Sequence, residues 1–175
     1  MRKPPKARAI NGIISACIVV FFFVHAAMGG ASTLFGLPRT LSFVAWLGVA
    51  AICAHIITSI ITSYQQLNDE EHPPSSRKKR HLALKWATGG LLAVVAIVHV
   101  VTSQVLGAGS AFATGTGVAL MTLLVVVLAV HICVGAKSLL TDLRLDKRYL
   151  LPLRIAVCVI AAVLVVMSIL AGFAS

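Results

Sequence analysis

The chain has 175 residues, of which 59% are hydrophobic and only 11% are Asp, Glu, Lys or Arg. Soluble domains carry roughly a quarter of their residues as charges, so too little polar surface exists here to cover a water-soluble globule. The formal charge of +10 does not indicate nucleic acid as a partner, because the basic residues sit in short stretches between apolar runs and are not spread over a soluble face.

Arg2, Lys3, Lys6 and Arg8 precede a run without Asp, Glu, Lys or Arg from Ala9 to Pro38. A bilayer core takes about 20 helical residues to cross, so this run predicts a first span over 10–31. It is too long for an ordinary signal-peptide core and is read as a retained span. Arg39 stands alone, and the next charge is Asp69, which predicts a second span over 41–64. A charged cluster from Asp69 to Lys85 then holds Arg77, Lys78, Lys79 and Arg80 and reads as a loop. From Trp86 to Ala136 no formal charge occurs. That run is long enough for two spans, 84–106 and 115–137, reversing in the Gly- and Ser-rich stretch 107–117. A last cluster from Lys137 to Arg154 precedes a fifth span over 153–174.

The expected fold is therefore all-α: a single transmembrane domain of five helices, the first four forming an up-down bundle. Basic residues accumulate in cytoplasmic loops. All of the 15 basic residues except Arg39 fall on one side of this layout, so the N-terminus is expected inside and the C-terminus outside. Cys17, Cys53, Cys133 and Cys158 all lie within spans, without a CxxC pair, and read as small packing residues.

Ionisable residues within spans are rare and usually functional. His72 and His81 fall in the charged loop, but the other four histidines are distributed one per helix: His25, His55, His99 and His131. The fifth span has none. At 1.5 Å per residue, His25 and His99 lie about 7 Å to the outer side of their midpoints, while His55 and His131 lie about 4 and 7 Å to the inner side. The two levels are then separated by roughly 10–15 Å. In an up-down bundle helices one and three are diagonal, as are two and four, so each pair faces across the interior. Two imidazoles opposed across a gap suit a flat macrocycle ligated on both faces, and bis-histidine b-type haem fits. Two haems are expected, with His25 and His99 as ligands of the outer iron and His55 and His131 of the inner. A proton relay would ordinarily include Asp or Glu, and no acidic residue occurs in these spans.

The residue four positions after each histidine is small: Gly29, Ser59, Ser103 and Gly135. Positions i and i+4 share a helix face, so these residues leave room for a porphyrin edge. Thr58 and Thr102, at i+3, suit hydrogen bonds to backbone carbonyls or to a propionate. Lys85, Lys137 and His81 are candidate propionate partners inside, and Arg39 outside.

Around the fourth histidine the chain reads His131-x3-Gly135-x-Lys137-x-Leu139-x2-Asp142. This resembles the corresponding stretch of cytochrome b membrane-anchor subunits of succinate dehydrogenases and fumarate reductases. The five-helix layout is similar to the two-haem branch of that family, in which the first four helices supply one ligand each. The resemblance implies the same pairing, His25 with His99 and His55 with His131. It also implies a flavoprotein and an iron–sulfur partner docked on the basic cytoplasmic face, a membrane quinone as the other redox partner, and no catalysis on succinate by this chain itself. The whole complex of such a family is a possible oligomer. The chain has compact connectors for that branch and lacks the membrane-embedded glutamates of some members. A quinone site is open to two placements: the outer end near Arg39, Ser32 and Gln104, or the inner end near Lys137 and Asp142. Two rival classes stand beside this reading. One is another di-haem cytochrome b acting as a quinone or ferric reductase; the other is a non-haem transporter or assembly protein.

Overall fold

The computed structural model describes residues 6–35, 42–69, 73–105 and 115–174. Among these residues there are five long helices and no strand: α1 (Lys6–Phe35), α2 (Ser42–Leu67), α3 (Ser76–Val105), α4 (Gly115–Asp142) and α5 (Leu150–Ala174), with a 3-10 turn at Lys147–Tyr149 before α5. All five are long and apolar enough to cross a membrane. Arg39, His72 and most of the reversal expected at 107–117 lie outside the described residues.

The helices run further into the charged clusters than the apolar runs alone suggest. Helix α3 begins at Ser76, so Arg77 to Arg80 are helical and not loop. Lys and Arg are good helix formers, and Pro73 and Pro74 stop the chain just ahead of them. Ser75 caps the new start, its Oγ accepting from the Lys78 N–H at 3.3 Å. Helix α4 likewise continues to Asp142. It ends in a paired turn: the Leu145 N–H reaches Leu140 O at 2.8 Å and the Arg144 N–H reaches Thr141 O at 3.2 Å. Arg144 takes the left-handed conformation this turn requires, with φ 59°. Pro152 falls in the first turn of α5, where its missing N–H costs no helical hydrogen bond.

Helix α4 packs against both α3 and α5, and α1 packs against α2, α4 and α5; α2 and α3 share no extensive contact among the described residues. Residue contacts fix the directions. Ser15 of α1 meets His55 of α2, and Phe21 lies against Gly48, so this pair is antiparallel. Lys85 of α3 meets Ser138 of α4, and Thr88 meets His131, so that pair is antiparallel too. Arg154 of α5 donates to Cys133 O of α4, while Gly172 lies against Val118. Arg8, Lys85, Asp142 and Arg154 thus gather at one end, termed the basic end below.

The apolar core lies in the seam between α1, α4 and α5. One cluster joins Val125, Ala161 and Leu164 to Phe23 and Met167. Another joins Leu128, Ile132 and Val157 to Phe22 and Leu153. Between apolar helices in lipid, close packing takes over from the hydrophobic effect as the source of association. Glycines permit it: a Cβ at Gly12 would stand 3.1 Å from the Asp142 Cβ, and one at Gly30 only 2.8 Å from Met167 Cε. Helix α5, without a histidine, serves this seam. Val20, Ile57, Val94, Val126 and Val159 remain exposed, as suits a surface facing lipid.

Candidate functional site

The four helical histidines occur on α1 to α4, one each, and all are half-buried. His55 stands level with Ser15 of α1, and His131 stands level with Thr88 and Gly89 of α3. From Ser15 to His25, and from Gly89 to His99, each helix climbs about 15 Å. His55 and His131 therefore form a tier nearer the basic end, and His25 and His99 a tier nearer the opposite end. Within each tier the two side chains lie in electrostatic reach of each other, His131 with His55 and His99 with His25.

The tier nearer the basic end is held by hydroxyl groups on neighbouring helices. His131 Nδ1 lies 3.0 Å from Thr88 Oγ1, and Thr88 Oγ1 lies 2.9 Å from Leu84 O. His55 Nδ1 lies 3.2 Å from Ser15 Oγ, and the Ser15 hydroxyl donates to Asn11 O at 2.7 Å. Asn11 extends the network, its Oδ1 lying 2.9 Å from Thr58 Oγ1 and 3.2 Å from Ser59 Oγ. Ser59 Oγ also stands 3.5 Å from His55 Nε2. Gly89 lets the His131 ring lie against α3, since a Cβ there would come within 3.1 Å of His131 Cε1.

The other tier is supported differently. The Phe21 ring stacks on His25, with centroids 5.9 Å apart and planes 9° apart. Among the described residues His99 Nδ1 is buried and has no hydrogen-bond partner. Ser103 and Thr102 turn back onto their own helix, at 2.7 and 3.1 Å from His99 O.

Of the candidate small residues, Gly29 and Gly135 border open space: a Cβ at either would meet nothing within 4 Å. The propionate candidates separate. Lys85 turns inward, donating to Ser138 Oγ at 3.2 Å, within electrostatic reach of both His55 and His131. Lys137 is exposed. Exposed His81 lines an open groove with Ser76, Arg77, Arg80 and Leu84. Asp142 is committed elsewhere: its Oδ1 lies 2.7 Å from the Arg8 guanidinium, with the Asp142 side chain only 7% exposed. Arg39 and the side chain of Gln104 fall outside what is described.

Asn11, Ser15, Thr88, Gly89 and Arg8 are the site residues that sequence reasoning missed. Asn11 offered a signal, as the one carboxamide between Ala9 and Pro38. Hydroxyl residues such as Ser15 and Thr88 are ordinary in apolar helices, and nothing local sets them apart.

Two imidazoles at each level, on different helices, are the donor set that a bis-histidine macrocycle would need. The histidines gather in twos, and among the described residues no group of three or more His, Cys, Asp or Glu is placed to share one metal ion. Open space adjoins Gly29 and Gly135. Among the described residues His99 Nδ1 is a buried polar atom without a hydrogen-bond partner, a situation that buried polar groups otherwise avoid. Comparison of the chain with protein-family models, with curated proteins and with solved structures finds no match.

Proposed function

We propose that this chain is the di-haem b membrane-anchor subunit of a succinate:quinone oxidoreductase, a succinate dehydrogenase or fumarate reductase. It would carry electrons between a cytoplasmic iron–sulfur subunit and membrane quinone, with a flavoprotein completing the complex. The observation that carries the reading is the two-tier pairing of single histidines on four helices. The stretch His131 to Asp142 supplies the link to this family.

When bound, the two haems supply one-electron transfer across the membrane. In this reading His55 and His131 hold the inner iron, and His25 and His99 the outer. Gly29 and Gly135 leave room beside their ligands, and Ser59 and Ser103 are the small residues at the other two. Lys85 compensates propionate charge at the inner tier, with Arg39 in that role outside. The first four helices enclose the macrocycles as an up-down bundle, and α5 braces α1 and α4 from one side. The basic end faces the cytoplasm under the rule that places Lys and Arg inside. The groove at Arg77, Arg80 and His81 belongs to the surface that receives the iron–sulfur partner.

The test is a reduced-minus-oxidised absorption spectrum of the purified full chain, followed by identification of what co-purifies with it. A b-type α band is expected, together with a flavoprotein and an iron–sulfur protein. Properly matured chain without an α band refutes the haem reading. Haem without a flavoprotein partner shifts the assignment to another di-haem quinone or ferric reductase.

A further inference from the structure

We infer that Ser15 and Thr88 are positioning residues that lock the two histidines near the basic end, His55 and His131, with Nδ1 protonated and Nε2 bare. This inference rests on the proposed di-haem reading for its consequence, but its geometry stands on its own.

A hydroxyl has one proton to give. Thr88 Oγ1 lies 2.9 Å from Leu84 O, 3.2 Å from Lys85 O and 3.0 Å from His131 Nδ1. A carbonyl oxygen only accepts. If the Thr88 proton pointed at His131, lone pairs on two oxygens would face each other at 2.9 Å with no proton between them. The proton therefore goes to the carbonyl, and the third contact is a bond that His131 Nδ1–H donates to the threonine oxygen. Ser15 repeats the arrangement: its Oγ is 2.7 Å from Asn11 O and 3.2 Å from His55 Nδ1. That leaves Nε2 without a proton on both rings. Ser59 Oγ, at 3.5 Å from His55 Nε2, lies closer to Asn11 Oδ1, at 3.2 Å.

A bare Nε2 is the form that binds a metal, and a hydrogen bond from the other ring nitrogen fixes the ring and makes it the stronger donor. Each brace comes from a helix other than the histidine's own: α1 holds the ring on α2, and α3 holds the ring on α4. His99, in the other tier, has no such partner on its buried Nδ1 among the described residues. The chain thus builds two unlike ligand pairs, electron-rich at the basic end and unbraced at His99. Stronger imidazole donation favours the oxidised iron, so the braces lower the reduction potential of the inner haem alone.

The experiment compares Ser15→Ala, Thr88→Val and the conservative Thr88→Ser in the purified full-length protein, by potentiometric titration of the α band and electron paramagnetic resonance of the oxidised form. Ser15→Ala and Thr88→Val are each expected to raise the potential of the haem that His55→Ala or His131→Ala removes, with both haems still bound and the other potential unchanged. Thr88→Ser keeps the wild-type value. Unchanged potentials with a full haem complement, or a shift of the other haem, overturn the inference. A second measurement does not depend on haem: nitrogen-15 spectra of histidine-labelled full-length chain produced without haem. The form protonated at Nδ1 is expected for His55 and His131. Protonation at Nε2 on either ring overturns the assignment, whereas protein that never binds haem refutes only the proposed function.

Discussion

The two histidine tiers look alike in the sequence and are unlike in the structure. Near the basic end, His55 and His131 are each braced by a hydroxyl from a neighbouring helix, with Asn11, Thr58 and Ser59 tied in behind. Toward the other end, His25 lies against Phe21, and His99 Nδ1 is buried without a partner among the described residues. The difference follows where polar groups can be afforded within an apolar helix. Close to the charged end, hydroxyl and amide groups extend the Arg8, Lys85 and Asp142 cluster inward. Toward the other end an aromatic ring, Phe21 of its own helix, lies beside His25, and Thr102 and Ser103 bond to the backbone of their own helix.

The most direct way to break the comparison is to remove one imidazole at a time. His55→Ala and His131→Ala should each lose the same haem, and His25→Ala and His99→Ala the other, so every single variant keeps about half of the bound haem. Haem-to-protein stoichiometry and resonance spectra of the remaining centre check this. A shared loss between His25→Ala and His55→Ala would dissolve the tiers altogether.

How far the sequence reaches is visible in the same residues. A histidine in an apolar run is conspicuous, so all four were legible, and helical rise sorted them into two levels. The five spans were legible because each apolar run is long enough to cross. Their ends were not, since Arg77 to Arg80 read as loop although their side chains favour helix. Ser15 and Thr88 stayed hidden for another reason. A serine or threonine in a span is unremarkable until interhelical register shows which atom it faces, and register is set by packing at residues such as Gly12, Gly48 and Gly89. Lys137, a candidate from its motif position, lies on the exposed side of α4, while Lys85 turns inward to Ser138.

A smaller effect is expected from loosening the basic end. Asp142 is buried against Arg8 and against Gly12 of the same helix, so it clasps the start of α1 to the end of α4. Asp142→Asn keeps the shape but leaves Arg8 without its counter-charge, at a cost of about 2 kcal/mol. Thermal unfolding in detergent measures that loss directly. The comparison sharpens if the weakened clasp lowers haem occupancy at His55 and His131 and spares His25 and His99. Equal loss from both tiers would show the clasp supporting the bundle as a whole.

The smallest effect, and the most local, comes from two adjacent glycines on α3. A Cβ at Gly89 would stand 3.1 Å from His131 Cε1, whereas one at Gly90 would meet nothing within 4 Å. Ala is favoured over Gly within a helix by about 1 kcal/mol, so Gly90→Ala should raise thermal stability slightly and leave both haem spectra alone. At Gly89 the same gain is set against displacement of the His131 ring by a few tenths of an ångström, so net stability should barely change. The ring, however, cannot move without disturbing its bond to Thr88, which lies on the same face of approach. Gly89→Ala should therefore alter the resonance signature of the inner haem alone. If Gly89→Ala and Gly90→Ala prove indistinguishable by that signature, the His131 ring is not held against α3, and the contrast between a braced and an unbraced tier loses one of its two supports.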